Sequence, residues 1–253
     1  MCFIMIITSL DNNTIKTFAR LKEKKYRVSE KAYLIEGYRS VKDSLPFAIN
    51  PKLLFSQSAY EKFSQEFIGI SCAVCADNVF GKICDTVSTQ GVICIADKNL
   101  ASPDFVSEKA LLLDRVRDPG NMGTIIRTAL ATGFKDIYCV DCVDVYNPKV
   151  VRSAMSAVSR VRLYETDSSV ISSLKDNGYR VICADMDGEN VFSISENFDK
   201  ICLAIGNEAN GLSEELFALA DKTVSLPMEE GESLNAGVSA SVLMYMFSFG
   251  LKK

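Results

Sequence analysis

The sequence contains no histidine and no tryptophan. Without imidazole, Ser-His-Asp hydrolysis and histidine-ligated metal catalysis are excluded. No Gly-x-Gly-x-x-Gly occurs, which removes the usual fingerprint of a nicotinamide-dependent oxidoreductase. There is no apolar run of the roughly 18 residues that a membrane-spanning helix needs. The opening Met-Cys-Phe-Ile-Met-Ile-Ile lacks a charged leading region and turns polar by Thr8. It reads as a strand or arm rather than a secretion signal, with Met5 a second candidate start. The nine cysteines are odd in number, and without a secretion signal they read as reduced thiols of a cytoplasmic protein.

What is present describes a globular chain. Its 253 residues suit one large domain or two ordinary ones, and 48% hydrophobic with 24% charged residues is ordinary for a soluble protein. Two Cys-x-x-Cys pairs, Cys72/Cys75 and Cys139/Cys142, fall in strand-like runs. Residues three apart in a strand point to opposite faces, so no metal site is expected there. The net charge of −4 argues against a uniformly basic surface. Between Lys16 and Lys31, however, seven Lys/Arg stand against two Glu. That stripe is either a solvated helix face or a phosphate-binding platform with Tyr26 available for stacking.

The first part of the chain predicts a helix over residues 11–25. Strands are predicted at 32–36, 52–56, 70–76 and 91–96, alternating with helices at 37–45, 60–67 and 77–84. This rhythm implies a small α/β sandwich over residues 1–97. Residues 98–108 are polar, hold Pro103 and carry no periodicity, so a linker is expected there. Residues 109–253 form the second predicted domain.

Three strand-loop-helix units stand out in that second domain. The first follows the apolar run at 109–114, with Asn121 as candidate helix cap and Gly123 one turn before Arg127. A Gly there leaves the guanidinium uncovered, which suits a phosphate; the bland alternative pairs Arg127 with Asp114 or Asp118. In the second unit a buried strand runs into Gly206, where a ligand could approach the backbone. Asn207, Glu208 and Gly211 follow, and Glu208 is either a loop anchor or a functional carboxylate. The third unit is a short strand stopped by Pro227, then a polar loop and a helix capped by Ser233 or Asn235. Its first turns are small (Ala236, Gly237, Ser239, Ala240), which permits a close approach by backbone or by a flat ligand.

Taken in order, Asn121-x-Gly-x-x-x-Arg127, Gly206-Asn-Glu-x-x-Gly-Leu-Ser213 and Leu226-Pro-Met-x-x-x-x-Ser-Leu-Asn235 resemble the three motifs of the SpoU (TrmH-like) RNA ribose 2′-O-methyltransferases of the SPOUT superfamily. Residues 21–44 and the run beginning Thr89-Gln-Gly also resemble that family's N-terminal substrate-binding domain. The resemblance implies an α/β fold: a C-terminal SPOUT domain with a deep trefoil knot, preceded by a smaller α/β substrate-binding domain. It implies a homodimer, S-adenosylmethionine as methyl donor, and RNA as partner, with no membrane and no metal. Large-subunit ribosomal RNA is the favoured substrate. A transfer RNA 2′-O-methyltransferase and a catalytically silent RNA-binding assembly factor are the alternatives.

By motif position, the resemblance assigns the donor to Gly206, Asn207, Gly211, Leu226, Met228 and Leu234. It assigns the chemistry to Arg127, Asn121, Glu208, Ser233 and Asn235. Arginine is almost always protonated, so Arg127 is expected to position a phosphate and stabilise a developing alkoxide rather than act as a free base. Lys24, Lys25, Arg27, Arg39 and Arg152 are the expected RNA contacts. One departure is visible: after Asn235 many relatives continue Val-Ser-Val-Ala, whereas this chain has Ala-Gly-Val-Ser-Ala.

Overall fold

The computed structural model describes residues 5–85, 90–196, 198–230 and 234–250. The chain divides into two compact units, Met1–Asn99 with Tyr146–Ser159, and Leu100–Val145 with Arg160–Lys253. The first opens on β1 (Ile6–Ile7), α1 (Asn13–Arg20) and α2 (Lys24–Ser29). It continues with β2 (Ala32–Glu36), α3 (Tyr38–Ser44), β3 (Ile49–Ser56), α4 (Gln57–Phe63), β4 (Ser71–Cys75), α5 (Asp77–Ile83) and β5 (Val92–Asp97). The strands lie in the order β1-β4-β3-β5-β2, with β5 antiparallel to both of its neighbours. Ile15, Phe18 and Leu21 close one side of this sheet over Leu34, Leu54 and Ile93.

The single helix expected at 11–25 is two helices. The break has a physical cause in Arg27, which is 2% exposed. Its Nη1 donates to the carbonyls of Leu21 at 2.8 Å and Lys22 at 2.5 Å. These are carbonyls that the end of α1 leaves without helical partners. Arg27 is therefore a structural cation and not the RNA contact that the basic stripe suggested. Much of the stripe is also answered internally: Lys16 pairs with Asp11, Arg20 with Glu30, Lys22 with Asp85 and Lys25 with Glu23. Lys25 and Arg20 also rest on the Tyr26 ring. Lys24 and Lys31 have no ionic partner among the described residues.

The second unit runs through β6 (Lys109–Asp114), α6 (Pro119–Thr132) and β7 (Asp136–Val140). The helix α7 (Pro148–Ala154) belongs to the first unit, where Tyr146 packs on Tyr33 at 4.9 Å between ring centroids. Arg152, expected to meet RNA, faces Glu36 at 3.4 Å and Asp85 at 3.5 Å. Two carboxylates already answer its charge, so residues 146–159 join the first unit although they lie within the linear span 109–253. The second unit resumes with β8 (Arg162–Thr166), α8 (Val170–Asp176), β9 (Arg180–Asn190), β10 (Ile201–Ile205), α9 (Glu214–Ala218), β11 (Lys222–Ser225) and α10 (Ala236–Tyr245).

Its six strands lie in the order β11-β9-β10-β6-β7-β8, all parallel. Parallel sheets are covered on both faces and so read as unbroken apolar runs. Leu111, Leu112 and Leu113 of β6 and Cys202, Leu203 and Ala204 of β10 are all fully buried. The expected linker is held rather than free along its second half. Phe105 stacks on Tyr138, and Ser107 accepts hydrogen bonds from Tyr179 and Arg162. Cys142 lies in the turn beyond β7, not in the strand, and its thiol meets that of Cys139. The hydrogen bond between them lowers the Cys142 pKa and raises that of Cys139.

Arg27→Met keeps much of the side-chain volume but orphans both carbonyls. It is expected to cost about 2 kcal/mol in urea denaturation. An unchanged midpoint would mean that the ends of α1 and α2 are satisfied without the guanidinium.

Candidate active site

The site grows from the carboxyl ends of β6 and β10, where open parallel sheets place their ligands, and from the interior of β9. Asp114 ends β6 with 1% exposure. Its carboxylate accepts the Ser213 amide at 2.6 Å and the Arg115 Nε at 3.2 Å. Arg115 takes a left-handed backbone, φ 54°, and reaches the Gly211 carbonyl at 3.3 Å. The chain then enters α6 earlier than expected. Asp118 is the cap, with Pro119 in the first turn, and its carboxylate accepts the Asn121 amide at 2.8 Å. Asn121 is thus inside the helix rather than capping it. Its side-chain amide is free to donate to Glu208 Oε1 at 2.9 Å.

Beyond β10 the loop closes on itself. Asn207 and Gly211 exchange backbone hydrogen bonds of 2.9 and 3.0 Å, and the Asn207 side chain donates to the Arg115 carbonyl at 2.8 Å. Gly206 has a use beyond the one expected. A Cβ there would land on the backbone of Gly211 and Leu212. Its bare Cα admits the returning chain, and the residue also lines the cleft of the second unit.

The third element is α10, which begins at Asn235. The Asn235 side chain accepts the amides of Gly237 at 2.9 Å and Val238 at 3.2 Å. A Cβ on Gly237 would stand 3.2 Å from Asn235 Oδ1 and 3.3 Å from Asn121 Oδ1. Asn121, Glu208 and Asn235 therefore converge. The small helix start makes room for Asn121, and Ser241 further along bonds Thr128 of α6 at 2.9 Å.

The loop after β10, the interior of β9, the end of β11 and the start of α10 line a cleft of about 520 Å³. Gly206, Asn207, Gly211, Leu226, Met228 and Leu234, named from sequence as donor-binding residues, all line it. So does Glu208. Two residues that sequence reading missed, Asp185 and Asp187, also line it from within β9. No motif marks them; the only signal was their place after the apolar run of a predicted strand. Asp185 Oδ1 accepts the Asp187 amide at 3.0 Å. Among the described residues, the cleft lining holds three carboxylates and no Lys or Arg.

Arg127 is not in this lining. It is exposed on α6, and its side chain makes no hydrogen bond or ion pair with a described residue. Asp114 and Asp118 are occupied elsewhere, which removes the bland pairing. Ser233 and Thr89 lie outside the described residues. Of the expected RNA contacts, Lys24 and Arg39 present exposed side chains without partners among the described residues, and Lys25 is exposed but paired with Glu23.

Comparison with known proteins places this geometry. The SpoU rRNA Methylase family profile matches residues 108–245, and that of the MRM3-like substrate binding domain matches residues 12–94. The 23S rRNA (guanosine(2553)-2′-O)-methyltransferase RlmP of Bacillus subtilis is 28% identical over 94% of this chain and 97% of its own. The mitochondrial rRNA methyltransferase 3A of Danio rerio is 28% identical over 93% of this chain and 68% of its own. An AdoMet-bound rRNA methyltransferase from Sinorhizobium meliloti superposes with TM-score 0.87 at 25% identity, covering 99% of both chains.

Gly206→Ala tests the backbone passage directly. With rigid backbone on the far side, the methyl group is expected to cost about 3 kcal/mol, read as a lowered thermal midpoint. Gly237→Ala, which meets side-chain oxygens at longer range, is expected to cost clearly less. Equal effects would mean that the Gly206 passage can relax.

Proposed function

The chain belongs to the SpoU rRNA methylase family, and from that premise we propose that it methylates a ribose 2′-hydroxyl in RNA, with S-adenosylmethionine as donor. Large-subunit ribosomal RNA is the substrate class that its relatives' activities support. The observation that carries the reading is the convergence of Asn121 and Asn235 with Glu208, which itself lines the acidic, half-apolar cleft.

The cleft suits this donor on chemistry and size. Sites for molecules of that class span roughly 300–1,000 Å³, and about 520 Å³ is present. Leu226, Met228 and Leu234 offer apolar surface for a flat base. Asp185, Asp187 and Glu208 offer negative charge to a cationic ligand, which accounts for an acidic wall in an RNA enzyme. When bound, the donor supplies an electrophilic methyl group on a positively charged sulfur. Gly206, Asn207, Gly211, Leu226, Met228 and Leu234 would hold it.

The chain's own residues do the rest. Glu208 is fixed by Asn121 at 2.9 Å and Asn207 at 3.4 Å, so its carboxylate has a set direction. Asn121, Glu208 and Asn235, with Ser233, orient the ribose hydroxyl. Much of the rate gain comes from that alignment. Arg127, exposed on α6, grips an RNA phosphate and stabilises negative charge as it develops on the 2′-oxygen. Lys24, Lys25 and Arg39 of the first unit hold the RNA. The same reading includes the trefoil knot that the resemblance implies, supported by the family match over residues 108–245. It includes a cytoplasmic homodimer, supported by exposed Val238, Val242 and Tyr245 on α10.

Arg127→Ala is expected to lower methyl transfer to ribosomal RNA at least about 100-fold. Donor affinity, measured by calorimetry, should stay within about twofold. Retained transfer would remove Arg127 from the chemistry. Lys24→Glu with Arg39→Glu should weaken RNA binding and flatten its dependence on log salt by roughly 0.7–0.9 for each phosphate that is no longer neutralised. An unchanged slope would move the platform elsewhere.

A further inference from the structure

The first unit contains a second cleft, of about 590 Å³, that the three methyltransferase motifs do not reach, although Tyr38, Gln90 and Gly91 of the substrate-binding stretches line it. It opens beyond the carboxyl ends of the parallel strands β3 and β4, the position where α/β sheets receive ligands. Ser56 ends β3, Asp77 starts the helix after β4, and Gln90 and Gly91 lead into the antiparallel β5. Gly91 has φ 74°, and a Cβ there would strike Ala59 and stand 2.6 Å from Ser56 Oγ. The wall at this point is therefore the Gly91 backbone packed directly on the Ser56 and Ala59 side chains.

The lining combines two kinds of surface. On one side are the rings of Tyr38 and Phe63, stacked with centroids 4.2 Å apart, with Lys62 Nζ 4.9 Å from the Phe63 centroid. On the other are Asp77 and Gln90. The Ser58 amide and hydroxyl donate to Asp77 Oδ1 at 3.2 and 2.9 Å. These bonds hold its carboxyl below the ordinary range, so at neutral pH Asp77 only accepts hydrogen bonds. Gln90 Oε1 takes the Arg39 amide at 3.4 Å. The Arg39 guanidinium has no partner among the described residues.

We propose that this cleft is a subsite for one unpaired nucleobase of the RNA substrate, lying against the aromatic wall with its hydrogen-bond donor edge to Asp77. The inference rests on the RNA reading above. It adds a second point of nucleotide recognition, in the first unit and separate from the cleft of the second. An aromatic wall, a fixed acceptor and nearby cations are the parts with which proteins read splayed-out bases of single-stranded RNA. Lys62 and Arg39 supply charge for the adjoining phosphates. Of the four bases, guanine presents two adjacent donors to a carboxylate, so it is the base favoured.

The test uses the full chain, labelled with deuterium and nitrogen-15 and saturated with S-adenosylhomocysteine so that the donor cleft is filled. The four ribonucleoside 5′-monophosphates are titrated in turn while amide resonances are followed. The expected result is saturable shifts at Ser58, Ala59, Gln90 and Gly91, largest for guanosine monophosphate. Asp77→Asn should weaken that nucleotide roughly tenfold, and Lys62→Ala should weaken all four alike. Absence of shifts at these amides, or shifts that Asp77→Asn leaves unchanged, would overturn the subsite. Saturation by S-adenosylhomocysteine reports separately on the methyltransferase reading, so the two can fail independently.

Discussion

The second unit depends on one close passage of backbone against backbone. At Gly206 the chain leaves β10, and five residues later it returns so near that no side chain fits between. The pins around that passage are polar and short. Asp114 holds the Ser213 amide, Arg115 holds the Gly211 carbonyl, and Asn207 holds the Arg115 carbonyl. The loop so fixed carries Glu208, and Glu208 fixes Asn121 in turn. Such a network is costly if any member is left unpaired. It gives the cleft a rigid floor on the strand ends of a fully covered sheet, and rigidity is what alignment of a small transferred group requires.

Charge is distributed unevenly between the units. Among the described residues the cleft of the second unit is lined by carboxylates without a balancing cation, whereas the basic stripe belongs to the first unit. Within that stripe burial divides the labour. Arg27 serves two helix-end carbonyls, and several neighbours serve nearby acids. A few exposed cations remain for an external polyanion. Surface pairs of this kind contribute little to stability, so those neighbours could exchange a carboxylate for a phosphate at small cost.

Much of this was legible in the sequence wherever a local rule decides the outcome. The unbroken apolar runs at 109–114 and 201–205 could only be covered parallel strands. Asn235 before a run of small residues could be recognised as a cap. The start of α6 was also written locally, since Asp before Pro is a strong cap signal, but Asn121 drew attention away from it. Arg27 and Arg152 were not legible, because a cation's partner is set by folding and not by its neighbours in sequence. Leu21 lies six residues from Arg27, and Glu36 more than a hundred from Arg152. Asp185 and Asp187 carry no motif and became visible only when β9 delivered them to the cleft.

The return of residues 146–159 to the first unit has a consequence for synthesis. A ribosome that has just completed residue 99 has made every strand of the first sheet, yet Tyr33 still waits for Tyr146, and Glu36 for Arg152. The first unit can finish its packing only after β6, α6 and β7 have emerged behind it. The two units are therefore interleaved in time as well as in sequence. A gene fragment cut at the apparent linker would release a unit in which Tyr33 lacks Tyr146 and Glu36 lacks Arg152.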